Sequence, residues 1–257
     1  MNRAPGHVLV TGASSGLGRA LAEAYAGPGR RLTLLGRDDA RLAAVAAAVA
    51  ARGAEAVTHA VDVRDAAAMA AVIDAADDAR ALDLVVANAG IAAAADPGEV
   101  LAVNVLGVWH TLVPALARMG GRGRGQLALV SSLAGRRGLP AAGPYCASKA
   151  AVRVLAESLR LDWGPRGVRV SAIVPGFVDT PLTRRNAFAM PWRLDAAAAA
   201  QRIRRGLERD RAEIVFPRRL AIAVRLLTFL PPWAAAPLLR RGRHGAARRD
   251  DVRPPSS

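Results

Sequence analysis

Short apolar runs alternate with helix-length segments along most of this 257-residue chain. The runs read HVLV, RLTLLG, AVTHAVDV, LDLVVANAG, QLALVSS and VRVSAIVPG. Strands that alternate with helices indicate βαβ units and a parallel sheet. Several runs lack polar alternation, as expected of strands that helices cover on both faces. The sequence therefore predicts an α/β fold with a doubly wound parallel sheet, a Rossmann-like sandwich of three layers.

The composition favours one domain, which we place at residues 1–242. Hydrophobic residues make up 52% of the chain, enough to bury a large core. Ala-rich tracts around 43–51 and 66–76 carry larger apolar residues at helical spacing, so both are predicted helices without internal repeats. Residues 243–257 are polar and rich in Pro and Arg, and we expect a disordered tail there.

Charge and cysteine content exclude several classes of protein. The formal net charge is +15, but the arginines are scattered and no recognition motif accompanies them, so we expect no nucleic-acid partner. Cys146 is the only cysteine and the chain starts without a signal-peptide run, which favours a cytoplasmic location. The four histidines lack metal-ligand spacing, and we predict no metal.

A Gly-rich loop follows the first predicted strand in HVLVTGASSGLGRALAEAYA. A strand before the glycines and a helix after them are typical of a dinucleotide site, in which the pyrophosphate sits at the helix N-terminus. The glycine spacing differs from the common G-x-G-x-x-G, and a purely structural turn is the alternative. The predicted cofactor-binding residues of this loop are Gly12, Ser14, Ser15, Gly16, Leu17 and Gly18.

The end of the second predicted strand bears on the choice of cofactor. An acidic residue at this place holds the ribose hydroxyls of NAD, whereas an arginine accommodates the extra phosphate of NADP. Here Arg37 comes first and can grip a phosphate with two hydrogen bonds. Asp38 or Asp39 is the alternative ligand, for a ribose. We expect NADP(H) rather than NAD(H).

The sole lysine of the chain, Lys149, stands four residues after Tyr145, one of only two tyrosines. Residues spaced i, i+4 share one face of a helix. A tyrosine with its ordinary pKa of about 10 is a poor base at neutral pH, but a nearby ammonium favours the phenolate. Because hydride transfer from an alcohol also releases a proton, Tyr145 is the candidate proton carrier. A buried structural tyrosine beside a surface lysine is the alternative.

Taken together, TGASSGLG, NAG at 88–90, Ser132, YCASK and PGFVDT resemble the short-chain dehydrogenase/reductase family over residues 6 to about 180. The resemblance implies that Tyr145 is the general acid or base and that Lys149 lowers its pKa and holds the nicotinamide ribose. It also implies that Ser132 orients the substrate oxygen and that Asn104 completes a proton relay. Ser131 competes for the serine role, but Ser132 has the spacing to Tyr145 that the resemblance implies.

The same resemblance implies the rest of the cofactor site and a homo-oligomer. The implied cofactor-binding residues are Asp62, Val63, Asn88, Ala89, Gly90, Pro175, Gly176, Val178 and Thr180, together with Tyr145 and Lys149. One departure is the short segment between Gly90 and Asn104, which predicts a shortened helix before Asn104, in a region that often makes subunit contacts in this family.

The resemblance places a substrate lid at about 181–215, where Phe188, Met190 and Trp192 could wall a hydrophobic pocket. Core packing explains these three side chains equally well. If these side chains line the pocket, the small-molecule substrate should be an apolar carbonyl or alcohol, and this is the class that we expect.

The segment at about 216–242 is apolar and basic, and prolines and Arg225 interrupt it, so it does not resemble a transmembrane helix. A helix packed on the lid or on a partner subunit is the preferred interpretation. Weak peripheral association with a membrane is the alternative.

Two classes of function are consistent with these residues. The first is an NADP-dependent dehydrogenase or reductase, and the second is a non-catalytic dinucleotide-binding sensor or scaffold. A sensor needs only the nucleotide loop, so the presence of Ser132, Tyr145 and Lys149 together favours the enzyme.

Overall fold

Seven parallel strands form the centre of the fold in the computed structural model, which describes residues 5–93, 96–184 and 190–241. The strands lie in the order β3-β2-β1-β4-β5-β6-β9, and a separate two-stranded ribbon pairs β7 with β8. The order in which successive strands are added to the sheet reverses between β1 and β4, which makes a topological switch point of the kind where ligands bind. The predicted doubly wound sheet is confirmed. The strands are β1 (His7–Thr11), β2 (Arg31–Gly36), β3 (Glu55–Ala60), β4 (Leu84–Ala87), β5 (Gly125–Val130), β6 (Val168–Pro175), β7 (Val178–Asp179), β8 (Leu194–Asp195) and β9 (Glu213–Phe216).

Helices follow the strands, and the two Ala-rich tracts lie in the second and third of them. Asp38, Asp65 and Asp195 each cap the helix that follows by accepting a backbone N–H hydrogen bond, which fixes where these helices begin. A π-helical turn at Ala102–Leu106 and 3₁₀ turns at Leu133–Arg136 and Gly164–Arg166 complete the elements. The α-helices are α1 (Gly16–Tyr25), α2 (Asp39–Ala50), α3 (Ala66–Ala79), α4 (Pro97–Leu101), α5 (Gly107–Arg122), α6 (Gly143–Trp163), α7 (Ala196–Glu208), α8 (Arg218–Phe229) and α9 (Pro232–Arg241).

The sheet buries an apolar core on each face because side chains alternate along its strands. Leu9 of β1 faces the core formed with α3, α5 and α6, whereas its neighbours Val8 and Val10 face the core formed with α1, α2 and α7. All three side chains are fully buried. This double cover explains why the strands read as nearly continuous apolar runs.

The joined helix Pro97–Arg122 is long and apolar enough to span a membrane, with a mean hydropathy of 1.7 over its best window. Half of that window is buried inside the fold, and α5 packs against α3 and the sheet. Core helices pass the same test of length and composition, so we assign this helix to the core.

The expected lid at 181–215 extends too far. Helix α7 buries Ile203 and Leu207 in the core against α1, and β9 is the seventh strand of the main sheet. Of the described residues in this range, Pro181, Leu182 and Thr183 line the cleft that is described below. The strand EIVF escaped the prediction because it is four residues long and follows a charged loop. Phe188 and the expected disordered tail at 243–257 lie outside the described residues.

Candidate active site

The Gly-rich loop joins β1 to α1 at the carboxyl edge of the sheet. Gly12 and Gly16 both have positive φ angles, +64° and +52°, which favour glycine. A Cβ added to Gly18 would lie 2.2 Å from the Gly12 carbonyl oxygen, so this position has no room for a side chain. The first turn of α1 leaves backbone N–H groups without intrahelical partners, which suits an anion such as a pyrophosphate.

Hydrogen bonds lock this loop to the strand end beside it. The Thr11 hydroxyl accepts hydrogen bonds from the backbone N–H groups of Asn88 (3.0 Å) and Ala89 (3.1 Å). The Asn88 amide donates to the Thr11 carbonyl at 2.9 Å. A Cβ added to Gly12 would approach Ala89 Cα to 2.9 Å. The loops after β1 and β4 therefore form one rigid floor.

Arg37 lies at the other end of this floor, after β2. Its side chain is 63% exposed and forms a long ion pair of 3.9 Å with Asp62. Asp62 is held instead by Arg64, whose guanidinium lowers the pKa of that carboxyl. Asp38 accepts the backbone N–H of Arg41 at 3.0 Å and pairs with the Arg41 guanidinium at 3.0 Å. Asp38, one of the two candidate ribose ligands, and Asp62 are thus already engaged by neighbouring arginines.

Ser132, Tyr145 and Lys149 meet on one wall, as the sequence predicts. Ser132 follows β5 and caps the 3₁₀ turn at Leu133–Arg136, where its hydroxyl accepts the Ala134 N–H at 3.1 Å. Tyr145 and Lys149 lie on one face of α6, with the Lys149 ammonium 5.8 Å from the centre of the Tyr145 ring. The Ser132 hydroxyl donates a hydrogen bond to the Pro175 carbonyl at 3.4 Å and lies close enough to the Tyr145 phenol to affect its pKa by hydrogen bonding.

Burial dominates the protonation of this wall. Lys149 is only 4% exposed, and burial lowers its pKa to about 8. Its ammonium donates a hydrogen bond to the Val130 carbonyl at 2.9 Å. Burial raises the pKa of Tyr145, while the hydrogen bond from Ser132 acts in the opposite direction. The expected lowering of the Tyr145 pKa by Lys149 is not among these effects and stays a prediction.

Asn104 is fully buried in the π-helical turn and does not line the cleft. Its side chain accepts the Ile91 N–H at 2.8 Å and donates to the Ile91 carbonyl at 2.9 Å. It also donates to the Ser148 hydroxyl at 3.0 Å, which in turn donates to the Tyr145 carbonyl at 2.7 Å. In this geometry Asn104 positions the chain after Gly90 and the start of α6.

Ser131 has a separate role in the same wall. Its buried hydroxyl donates to the Lys149 carbonyl at 2.6 Å, so it ties α6 to the end of β5. A Cβ added to Gly135 would lie 2.6 Å from the Lys149 carbonyl carbon, which places the 3₁₀ turn equally close to this helix. Lys149 is therefore fixed from both sides.

The chain after β6 closes the cleft above the Gly-rich loop. The Gly176 N–H donates to the Phe216 carbonyl at 2.7 Å, and Thr180 forms a turn with Thr183. A Cβ added to Gly16 would lie 3.1 Å from the Thr180 Cβ. The predicted segment from Pro175 to Thr180 thus lies directly against the first loop.

All these parts surround one cleft of about 760 Å³. Every predicted site residue except Gly18 and Asn104 lines it, and Gly18 supports the loop from below. Predicted residues in the lining are Gly12, Ser14, Ser15, Gly16, Leu17, Arg37, Asp62, Val63, Asn88, Ala89, Gly90, Ser132, Tyr145, Lys149, Pro175, Gly176, Val178 and Thr180.

Sequence reasoning missed several lining residues. Ile91, Val103 and Leu182 add apolar wall, and their sequence environment carried no signal that separates lining from core. Arg41 could have been found, because it stands four residues after Arg37 on the first turn of α2. Ser148, which connects Asn104 to α6, gave no signal in the sequence.

Other reactive groups are not assembled into a site. Burial raises the pKa of the Cys146 thiol, which disfavours the nucleophilic thiolate. Among residues 5–93, 96–184 and 190–241, no three His, Cys, Asp or Glu side chains form a cluster that could hold a metal ion.

Comparisons with known proteins agree with this geometry. A family model described as short chain dehydrogenase matches residues 6–189. An "uncharacterized oxidoreductase" of Myxococcus xanthus (strain DK1622) is 42% identical over 232 residues, which cover 87% of this chain and 92% of that protein.

Two solved structures are similar in fold and hold nicotinamide cofactors. A short chain dehydrogenase/reductase from Burkholderia phymatum in complex with NAD has a TM-score of 0.80 at 29% identity, over 88% of this chain and 94% of that one. A short-chain dehydrogenase from Sphingobium yanoikuyae in complex with NADPH has a TM-score of 0.75 at 26% identity, over 96% and 98%.

Proposed function

This chain belongs to the short-chain dehydrogenase family, and on that premise we propose that it transfers a hydride between NADP(H) and an apolar carbonyl or alcohol. The chain is an enzyme, an oxidoreductase that uses a nicotinamide cofactor. A non-catalytic sensor or scaffold finds no support in these comparisons. The proposal rests mainly on one observation: Ser132, Tyr145 and Lys149 lie together on the wall of a cleft, and the Gly-rich loop forms the floor of the same cleft.

The residues present fit such a cofactor. The floor has no room for a Cβ at Gly12 or Gly18, so backbone can approach a pyrophosphate closely. Lys149 and the segment from Pro175 to Thr180 would hold the nicotinamide end, and Asp62 and Val63 the adenine. When bound, the nicotinamide ring supplies or accepts the hydride.

The side chains of the wall handle the proton. In the proposed reduction, the Tyr145 phenol donates its proton to the substrate oxygen while Ser132 donates a hydrogen bond to the same oxygen. In oxidation, Tyr145 takes the proton back from the alcohol. The Lys149 ammonium lowers the pKa of Tyr145 against the effect of burial, because a nearby positive charge favours the phenolate. Asn104 acts through Ile91 and Ser148 as a positioning residue.

The charges of the cleft support an apolar substrate. Apart from Lys149, its charged lining residues follow β2 and β3, at the adenine end, and are Arg37, Asp38, Arg41 and Asp62. Apolar side chains line the other end, among them Ile91, which follows Gly90, and Val178 and Leu182, which lie in the chain after β6. Apart from Lys149, the residues that the structure describes offer no charged partner to a substrate there.

Turnover with a panel of aldehydes, ketones and alcohols tests the reaction class. We expect apolar carbonyls to be reduced with NADPH, and charged ones to react poorly. Tight NADPH binding without turnover of any compound would contradict an oxidoreductase that acts on this class.

Cofactor preference rests on Arg37. Its guanidinium is exposed at the cleft, while Asp38 and Asp62 are engaged by Arg41 and Arg64. We expect NADPH to bind more tightly than NADH, and Arg37→Asp to narrow or reverse the preference, because a phosphate partner becomes a repulsive carboxylate. The control is Arg202→Asp, an equal charge change on the exposed surface of α7. Equal affinities of the wild type for both cofactors would contradict the preference.

We further propose a cytoplasmic homo-oligomer. Helices α5 and α6 expose apolar side chains, among them Trp109, Val113, Val154 and Leu161, in a pattern that suits contact with another subunit. Sedimentation that shows a monomer at micromolar concentration would contradict it.

A further inference from the structure

Helices α8 and α9 carry an outer face of large apolar side chains that no part of the described chain covers. Its exposures range from 51% at Leu238 to 80% at Trp233. We propose that this face docks on the surface of an anionic lipid bilayer. We call it the outer face, and its residues are Ile222, Leu226, Phe229, Trp233 and Leu238.

The inner side of α8 holds this face rigidly on the fold. Leu220 and Ala221 pack against the core, and Leu220 reaches Gly176, where an added Cβ would lie 2.7 Å from its Cδ2. The Arg137 guanidinium donates hydrogen bonds to the carbonyls of Leu227 (2.5 Å) and Leu230 (2.9 Å), the last turn of α8. The helix is therefore anchored on one side, and its apolar exposure on the other side is built into the fold.

Positive charge surrounds the outer face. Arg218, Arg219 and Arg225 are exposed and make no ion pair with any residue that the structure describes. The sequence has no Asp or Glu from position 214 to position 249. Apolar and aromatic side chains beside unpaired arginines are typical of helices that lie in a membrane interface, where anionic headgroups attract the arginines.

The length of the helices determines how they can meet a bilayer. Twelve residues in α8 and ten in α9 span about 18 Å and 15 Å, short of the hydrocarbon core of about 30 Å. Leu230 and Pro231 separate the two helices, and Pro232 begins α9. The pair can lie on the surface but cannot cross it, and Trp233 at their junction suits the headgroup level.

The charge pattern favours lipid over a second copy of this chain. A two-fold interface pairs a patch with itself. It would bring Arg218, Arg219 and Arg225 of one copy near those of the other, with no acidic residue on the patch to compensate. Anionic lipid supplies the missing negative charge.

Docking would leave the substrate end of the cleft beside the bilayer. Helix α8 packs on the turn after Ser132 and on β9, next to Gly176. The docking itself goes beyond the proposed function and does not depend on it, because the binding measurement below uses no substrate or cofactor.

Flotation of the full-length protein with lipid vesicles tests the proposal. We expect binding to vesicles of phosphatidylcholine with phosphatidylglycerol, weak binding to phosphatidylcholine alone, and release by high salt. Phe229→Ser with Trp233→Ser should weaken partitioning at least about tenfold. Replacing Arg218, Arg219 and Arg225 by Gln should weaken it about a hundredfold.

A matched control changes equally exposed residues elsewhere. Replacement of Arg202, Arg205 and Arg209 by Gln removes the same charge from α7, which packs on the opposite face of the sheet. This control should bind vesicles within about twofold of the wild type, because it does not touch the outer face.

A measurement on the wild-type outer face guards against variants that fail to fold. Brominated lipid should quench the fluorescence of Trp233 when the protein binds, and Trp233→Phe should lose most of that quenching. Three results would overturn the proposal: no binding to anionic vesicles, an equal loss of binding in the control variant of α7, or a lower oligomer mass caused by Phe229→Ser with Trp233→Ser. The last result would assign the face to self-association.

Discussion

The wall of the cleft and the outer face of α8 and α9 both depart from the usual placement of side chains. The wall buries a charged side chain, and the outer face exposes apolar ones. The wall buries a cation, Lys149, to 4% exposure, whereas the outer face leaves Trp233 80% exposed. Burying an ammonium costs free energy unless partners compensate, and the hydrogen bond to Val130 is what the protein supplies. Exposing an apolar face to water costs less free energy than burying an unpaired charge, and such a face indicates a binding partner outside the chain. The wall is complete within one chain, and the outer face is not.

Chemistry at the wall gives the largest expected effect. Tyr145→Phe removes the proposed proton carrier and keeps the ring, so turnover should fall about a hundredfold to ten-thousandfold while NADPH affinity stays near that of the wild type. Tyr25→Phe is the matched control, because Tyr25 is the other tyrosine and is buried at the C-terminal end of α1, outside the cleft lining. Steady-state kinetics and cofactor titration measure both. A Tyr145→Phe enzyme with near-normal turnover would remove this tyrosine from the mechanism.

The buried cation should also make the free energy of unfolding depend on pH. Burial lowers the pKa of Lys149 from its usual 10.5 to about 8, so between these values the unfolded chain binds more protons than the folded one. The free energy of unfolding contributed by Lys149 therefore rises with pH through this window. Relative to Lys149→Met, which cannot titrate, the wild type should gain about 2 kcal/mol between about pH 7.5 and pH 9.5.

Urea unfolding of both proteins at these two pH values measures the difference, since titrations elsewhere cancel in the comparison. If the difference in free energy of unfolding between the wild type and Lys149→Met stays constant with pH, Lys149 keeps its ordinary pKa in the folded chain. In that case the wall would not be the buried environment described above.

The smallest expected effect is a difference in stability loss between substitutions on the two sides of α8. Leu220→Ala should cost about 1 to 2 kcal/mol, because this leucine packs on the core near Gly176. Leu226→Ala on the outer face, where the side chain is 63% exposed, should stay within about 0.5 kcal/mol. Thermal unfolding of the two variants without lipid compares them directly. Equal losses would show that the outer face is packed in solution, against a partner subunit for example.

The sequence predicts the wall well because its signals are local. Tyr145 and Lys149 are one helical turn apart, and the Gly-rich loop is contiguous, so a strand, a loop and a helix suffice to place them. The six predicted strands form for the same reason, since each is a compact apolar run. The contacts of Asn104 were harder to predict, because its partners Ile91 and Ser148 are 13 and 44 residues away and no local pattern pairs them with it.

Regions whose role depends on tertiary packing could not be predicted in the same way. Helix α7 reads as part of a lid, yet Ile203 and Leu207 are buried because α1 lies against them. Helix α8 reads as amphipathic, but only the fold shows that Leu220 faces the core and Leu226 does not. The pKa of Lys149 likewise follows from its burial, which composition does not reveal.

The central claim is that position 149 needs a compact ammonium, and Lys149→Arg tests it most directly. The variant keeps the charge, but a planar guanidinium is larger and does not match the site between Val130 and Gly90, where a Cβ on Gly90 would lie 3.2 Å from the Lys149 Nζ. Turnover and NADPH affinity should be measured for a folded Lys149→Arg protein beside Tyr145→Phe. We predict severely impaired turnover, and a larger loss of NADPH affinity than in Tyr145→Phe, because only the lysine is proposed to contact the ribose. An arginine variant with near-normal turnover and cofactor affinity would contradict the claim and leave Lys149 as an accident of composition.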